Sequence, residues 1–539
     1  MLLLAVAAFL AGVYVADSGP RMQRQAALRY VRAWQRDDYA KMYALLTPAA
    51  RRSLSQPRFE AKLAAAAATA TLQSLRAGTR VSSSDGQLMI PFTVRTRAFG
   101  SFRATLALTP VGDGSGTHFR FDDALLLPGM RAGKQLRRST LLGPRGSLLA
   151  ANGAVLAQGS SLATRLPKVA NAIAGTLGPI PVAQRTHYRR LGYPASAKIG
   201  SDGLEAIFEE QLAGQPGGEL RAGNRVLARA QPIAGSDVRT TIVPKLELTA
   251  LAAIGTGYAG ITAIDPRTGA VEAAAGLAFD AVQPPGSTFK IVTAAAALSA
   301  GLATPATTYA YETHVSIDGF SLQNAGGESC GGTLLYAFAQ SCDTVFAPLG
   351  VRTGAARLVA MAERFGFDEP SPYGSVLEST VPRASAIGGP VAVGATAIGQ
   401  GEVQATTLEM ADVAATIANG GRRPLPTFLA GARPRYVRAI DADVAHEIEQ
   451  MMIAVVTEGT GETAQIQGIP VAGKTGTAEL RNTSGKTNDT KGTDAWFVGF
   501  APASRPRLAV CALYPEAGYG ETAAAPAVRE VLMAALGLR

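Results

Sequence analysis

The 539-residue chain is poor in the residues that build metal and redox centres. Its three cysteines (Cys330, Cys342, Cys511) and four histidines (His118, His187, His314, His446) are scattered, with no CxxC pair, so neither a metal site nor a cofactor is expected. Aromatic residues make up 6% of the chain, and no basic run interleaves them, so nucleic-acid binding is not expected despite a net charge of +10. That charge suits anionic lipid or wall polymers; arginine is nevertheless spread over the whole chain, as on an ordinary surface. Long apolar runs are missing after the first sixteen residues. Met1 to Ala16 is almost wholly apolar and reads as a retained membrane anchor or a signal segment, which places all the rest on one side of a membrane. Cys330 and Cys342 lie close in sequence, and outside the cytoplasm they can pair as a disulfide or remain two buried thiols.

What is present is enough apolar sequence for several cores. After the apolar segment (1–20), a helical pattern from Arg21 to about Gly78 gives way to period-two strands over Gln87 to Arg97, Ser101 to Thr109 and Thr117 to Ala124. This predicts a small α+β domain over 21–130. Leu127-Pro128-Gly129 and the basic segment Arg131 to Arg138 read as a linker. An irregular domain follows over 131–245, with one helix from Gly203 to Leu212. The last domain, 246–539, opens with a hairpin of Gly260 to Ile264 and Val271 to Ala275 about the turn Asp265-Pro266-Arg267-Thr268-Gly269. Strands at Val471 to Leu480, Ala495 to Phe500 and Arg507 to Tyr514 and a closing helix from Ala523 to Leu536 complete it.

Within that domain, Pro284-Pro285-Gly286-Ser287-Thr288-Phe289-Lys290 precedes an apolar helical run. The prolines and glycine start a helix with Ser287 in its first turn, and a spacing of three brings the Lys290 amine within reach of the Ser287 hydroxyl. A serine needs a proton acceptor to attack, and lysine can serve if burial or a second cation depresses its pKa. Two other motifs mislead. Gly468 to Thr475 fits the phosphate loop GxxxxGK[ST], but Gly476-Thr477-Ala478-Glu479 and a turn-rich stretch follow it, not a helix. Gly327-Glu328-Ser329-Cys330-Gly331 fits a nucleophile elbow, with Asp443 and His446 downstream, but lacks an apolar strand before it. Lys474-Thr475-Gly476 fits better as part of an edge strand able to bind an extended peptide and its terminal carboxylate, with Thr475 and Thr477 on one face and glycine allowing close approach.

Ser287-Thr288-Phe289-Lys290, Ser341-Cys342-Asp343 and Lys474-Thr475-Gly476 together resemble, in order and spacing, the SxxK, SxN and KTG motifs of penicillin-binding transpeptidases. Gly203-Leu204-Glu205, Gly399-Gln400-Gly401 and Ala495-Trp496-Phe497-Val498-Gly499-Phe500 resemble further phrases of that family. Arg145-Gly146 through Asn152-Gly153 resembles its pedestal or dimerisation domain, with Ala150 and Ala151 in place of the usual acidic and basic pair. The first domain resembles the NTF2-like extension of some class B members. The resemblance implies a multidomain α+β chain: an NTF2-like domain, a pedestal domain, and a serine transpeptidase/β-lactamase-like domain with an antiparallel sheet flanked by helices.

It further implies a single-pass membrane protein with its catalytic domain outside the cytoplasm, acting on peptidoglycan stem peptides, acylated by β-lactams and partnered by a membrane glycan polymerase. Ser287 would be the nucleophile, Lys290 its base, and Ser341 the relay to the leaving amine. Lys474, Thr475 and Thr477 would hold the substrate carboxylate, with Gly476 opening the strand; the backbone N–H groups of Ser287 and Thr477 would form the oxyanion hole. Asp343 departs from the family's asparagine. An ionised carboxylate loses the amide donor and favours charged Lys290, so slower acylation or altered substrate preference is expected. The alternatives are a catalytically impaired scaffold of a wall-synthesis complex and a D,D-carboxypeptidase or β-lactamase-like hydrolase.

Overall fold

The computed structural model of the chain describes residues 19–113, 116–374, 376–479 and 492–538. The expected anchor, Met1 to Ala16, lies outside them. Among the described residues no single helix is long and apolar enough to cross a membrane. The chain divides into two compact units. One comprises residues 1–146, 177–199 and 209–236; the other comprises 147–176, 200–208 and 237–539. Residues 131–245, expected as one intermediate domain, are thus apportioned between the two.

In the first unit, helical residues 19–34 and the helices Tyr39–Ala44, Pro48–Ser53 and Gln56–Ala70 accompany an antiparallel sheet. Its central strand, Gln87–Thr96, pairs with Ser101–Leu108 along one edge and with Leu72–Ala77 and Ser82–Ser84 along the other. The core gathers the rings of Tyr30, Trp34, Phe59, Phe92 and Phe119, all buried. Three expectations are corrected here. The helical pattern read from Arg21 to Gly78 ends at Ala70, because Thr71 turns into the left-handed region (φ 50°) and the next six residues pair as a strand. The expected linker is fixed in place: Leu127 and Met130 are buried in this core, and Leu136–Leu141 pairs with Gly217–Ala222. The single helix expected from Gly203 to Leu212 is two short ones, Gly203–Ile207 and Glu209–Ala213, interrupted at Phe208.

The second unit is organised by a five-stranded antiparallel sheet in the order Val271–Gly276, Gly260–Ile264, Leu508–Tyr514, Thr493–Ala501, Ala472–Glu479. Strands from both ends of this unit therefore share one sheet, and Ala472–Glu479 forms an edge. Ile261, Ala263, Val510 and Ala512 face a core shared with the helices Pro244–Ile254 and Gly520–Ala535. Thr262 points the other way and bonds Thr407, at the start of the helix Thr407–Ala418. Covered on both faces, Gly260–Ile264 and Leu508–Tyr514 are apolar at nearly every position, so the alternation seen in the first unit is lost in them.

Candidate active site

Ser287 lies in a single 3₁₀ turn, Gly286–Phe289, which runs directly into the helix Lys290–Ser299. The turn is anchored on both sides. The Thr288 hydroxyl donates to the Pro285 carbonyl (2.6 Å), and the Gly286 N–H donates to the Gly399 carbonyl (3.0 Å). Gly286 has φ 53°, which suits glycine, and a Cβ there would lie 2.7 Å from the Thr477 carbonyl oxygen. Gly476 meets the same turn from the sheet edge: a Cβ on it would come within 2.9 Å of the Pro285 oxygen and 2.8 Å of Trp496. The two glycines let the KTG strand lie against the Ser287 turn. Ser287 itself is half-buried, while Thr288, Phe289 and Lys290 are buried.

Ser341 is brought in by a different device. It follows the helix Leu334–Ala339 and takes a left-handed backbone (φ 61°), at a cost of about 1–2 kcal/mol for a non-glycine residue. The turn is held by Ser341 N–H to Phe338 O (3.1 Å), by Cys342 N–H to Ala337 O (2.8 Å), and by a disulfide from Cys342 to Cys330. Cys330 belongs to the strand Cys330–Thr333, so Ser329 lies on the approach to a two-stranded ribbon and not in a nucleophile elbow. Asp343 opens the helix Asp343–Thr353, where the positive end of the helix favours a carboxylate.

Lys290 and Lys474 are both fully buried, and both reach Ser341. The Lys290 amine donates to the Ser341 carbonyl (2.6 Å) and hydroxyl (3.2 Å) and lies 2.7 Å from an Asp343 oxygen. The Lys474 amine lies 2.9 Å from the Ser341 hydroxyl and donates to the Thr475 carbonyl (3.0 Å). Each amine also sits 5.6 Å from a ring centroid, Phe346 for Lys290 and Phe338 for Lys474. Burial depresses the Lys290 pKa, and Asp343 opposes the shift. Lys474 is pushed well down, by burial first and then by the Lys290 charge. The second basic group expected beside Lys290 is Lys474, but the influence runs the other way: the Lys290 charge lowers Lys474, while Lys290 itself is lowered by burial.

All the sequence-predicted site residues converge here, with two changes of detail. The bonds of Lys290 go to Ser341 and Asp343, not to Ser287. Thr475 is buried with its hydroxyl 2.5 Å from that of Thr460, whereas Thr477 is half-buried at the open edge. Lys474-Thr475 sits inside a strand, which removes the phosphate-loop reading. Sequence reasoning passed over Asn324. Buried, it accepts from the Thr344 N–H (3.0 Å) and hydroxyl (3.1 Å) and donates to the carbonyls of Glu312 and Glu328, fixing the segment next to Asp343. Its only signal was one amide in a polar, glycine-ending stretch.

Comparison with known proteins identifies the family of the chain. The penicillin-binding protein transpeptidase domain family matches residues 259–533, and the NTF2-like N-terminal transpeptidase domain family matches 23–134. The chain is 33% identical over 431 residues to the peptidoglycan D,D-transpeptidase PbpA of Mycolicibacterium smegmatis, covering 66% of this chain and 83% of that one. It is 38% identical over 289 residues to PbpA of Mycobacterium tuberculosis, where the match spans 47% of this chain and 55% of the relative. The solved structure of penicillin-binding protein A from M. tuberculosis as its penicillin G acyl-enzyme superposes with a TM-score of 0.59 at 27% identity, covering 73% of this chain and 99% of that one. A motif set brought together at one sheet edge, a matching catalytic domain and a matching N-terminal domain lead to one conclusion: the chain belongs to the class B penicillin-binding transpeptidases that carry an NTF2-like domain.

Proposed function

We propose that the chain crosslinks peptidoglycan stem peptides through an acyl-enzyme on Ser287. The observation that carries the reading is the Ser341 hydroxyl placed between two buried lysines, from the SxxK and KTG motifs, beside the turn that presents Ser287. In this reading neutral Lys290 takes the Ser287 proton as Oγ attacks the carbonyl of the penultimate D-alanine. The backbone N–H groups of Ser287 and Thr477 receive the oxyanion, and Ser341 passes a proton to the departing D-alanine amine. Lys474 and Thr477, with Thr475 behind them, hold the terminal carboxylate. An amine of a neighbouring strand then attacks the ester, forming the crosslink and freeing Ser287. Penicillins acylate Ser287 by the same first half-reaction.

The location belongs to the same proposal: an anchor in the first twenty residues, the catalytic unit outside the cytoplasm, and a membrane glycan polymerase supplying strands. The apolar opening of the sequence supports it. The test is incubation with a synthetic stem pentapeptide ending in D-Ala-D-Ala and an excess of a D-amino acid acceptor, with products resolved by mass. The expected product is the peptide with its last D-alanine exchanged for the acceptor. Hydrolysis alone would make the protein a carboxypeptidase, and no turnover with no penicillin adduct would make it a scaffold.

A further inference from the structure

The hydrogen bonds around Ser341 assign its protons. Lys290 Nζ has three acceptors, the Ser341 carbonyl at 2.6 Å, the Ser341 hydroxyl at 3.2 Å and Asp343 at 2.7 Å. Three acceptors match the three donors of an ammonium and leave no lone pair to receive the Ser287 proton. The Ser341 oxygen lies within hydrogen-bond reach of both amines, 3.2 Å from Lys290 and 2.9 Å from Lys474, and it can donate its own hydrogen to Lys474 only when that amine is neutral. A neutral Lys474 takes that hydrogen on its lone pair and directs its two N–H groups to the carbonyl (3.0 Å) and, weakly, the hydroxyl (3.4 Å) of Thr475.

Charge supports the same assignment. Asp343 is the charged group that meets Lys290, and Lys474 is the amine that shares Ser341 with it. The other ionisable side chains of the elements around it (Asp343–Thr353, Ala355–Phe365, Ala442–Glu458 and Ala472–Glu479) exert no resolved charge on it or on Lys474. One carboxylate balances one ammonium, whereas two buried ammonium groups would leave one uncompensated. Both amines are depressed by burial, but Asp343 touches Lys290 and not Lys474.

Building on the acyl-transfer reading, we propose that Asp343 parks the proton on Lys290 in the resting enzyme and that the carboxylate of an incoming stem peptide or penicillin moves it to Lys474. The anion arrives at Thr477 and Lys474 and favours an ammonium there. Ser341 then releases its O–H proton to Lys474 as it takes an N–H proton from Lys290. One N–H bond breaks, one forms, and the hydroxyl is restored. Lys290 is left neutral, with a lone pair for the Ser287 proton, and the combined charge of Lys290, Lys474 and Asp343 is unchanged. Asp343 acts through Lys290 and is a positioning residue. It makes acylation dependent on a carboxylated ligand, a requirement that an amide at this position would relax.

The test measures acylation rate against pH on the full chain and on Asp343→Asn, using penicillin G and its methyl ester as competitors of a fluorescent penicillin. In the wild type, the rising limb for the ester is expected at higher pH than that for the acid. In Asp343→Asn the ester limb moves down, giving about a tenfold gain near neutral pH for each unit moved, and the acid-to-ester rate ratio falls by the same factor. Superimposable limbs for acid and ester in the wild type would overturn the proposal, without need of the variant. So would an unchanged ratio in a folded Asp343→Asn. Fluorescent label that survives Ser287→Ala would instead overturn the acyl-enzyme reading on which it rests.

Discussion

In the first unit, the strand Gln87–Thr96 buries Leu88, Ile90, Phe92, Val94 and Thr96 and exposes Pro91, Thr93 and Arg95 between them. In the second unit, the strand Ala472–Glu479 buries six of its eight positions outright, Lys474 among them. The same geometry serves two ends. One strand separates apolar from polar and stabilises its domain by burial alone. The other keeps an ionisable amine inside the protein, pushed well below its ordinary pKa by burial and by the Lys290 charge, and that is tolerable only where hydrogen bonds surround it. The contrast extends beyond these strands. Among the described residues, the first unit buries the Arg145–Glu209 ion pair outside its aromatic core, whereas the second unit buries Glu247, Lys290, Lys474, Asp412 and Arg423, with Glu369 paired to Arg423.

Changes in the first unit should therefore act on stability without touching the chemistry. Phe59 is fully buried, with the rings of Phe121 at 5.7 Å and Tyr43 at 5.8 Å. Phe59→Ala is expected to cost about 3–5 kcal/mol in the unfolding of this unit. The rate of penicillin acylation, measured below the unfolding transition, should stay at the wild-type value. A matching fall in acylation would abolish the distinction between the units.

A smaller effect is expected at Glu247, on the helix Pro244–Ile254. One of its oxygens accepts from the Ala274 N–H (2.8 Å), and the other is buried with no hydrogen-bond partner. Burial raises its pKa to about 7 from the ordinary 4.5, outweighing the Ala274 bond. The folded state therefore holds the proton more tightly than the unfolded chain does. Its contribution is full below pH 4.5 and is lost as the pH rises towards 7. Glu247→Gln should flatten the fall in unfolding free energy over that window, by at most about 1.4 kcal/mol per pH unit. Parallel wild-type and variant curves would show that the carboxyl is not buried as described.

The sequence was most legible where chemistry is carried by short, contiguous residue strings. The hairpin about Asp265 to Gly269, the three strands at the C-terminus and the three motifs were all readable, because each depends on local turn preference, periodicity or spacing. Contacts between distant residues were not. Nothing near Lys290 in sequence indicates that its amine bonds Ser341, fifty-one residues away, and not Ser287 at three. Leu72–Ala77 was hidden because an alanine-rich helix runs straight into it, and only pairing with Gln87–Thr96 makes it a strand. The role of Asn324 appears only when three separate segments, ending at Glu312, Glu328 and Thr344, converge on one amide. Asp343 was visible as a departure from the motif, but its direct contact with Lys290 required coordinates.

The most direct test of the central claim is intact-mass and peptide mapping of the full chain after exposure to penicillin G. The account predicts one covalent penicilloyl adduct, mapped to Ser287 and absent from Ser287→Ala at equal folded concentration. An adduct on any other residue, or none on a folded wild type, would contradict it.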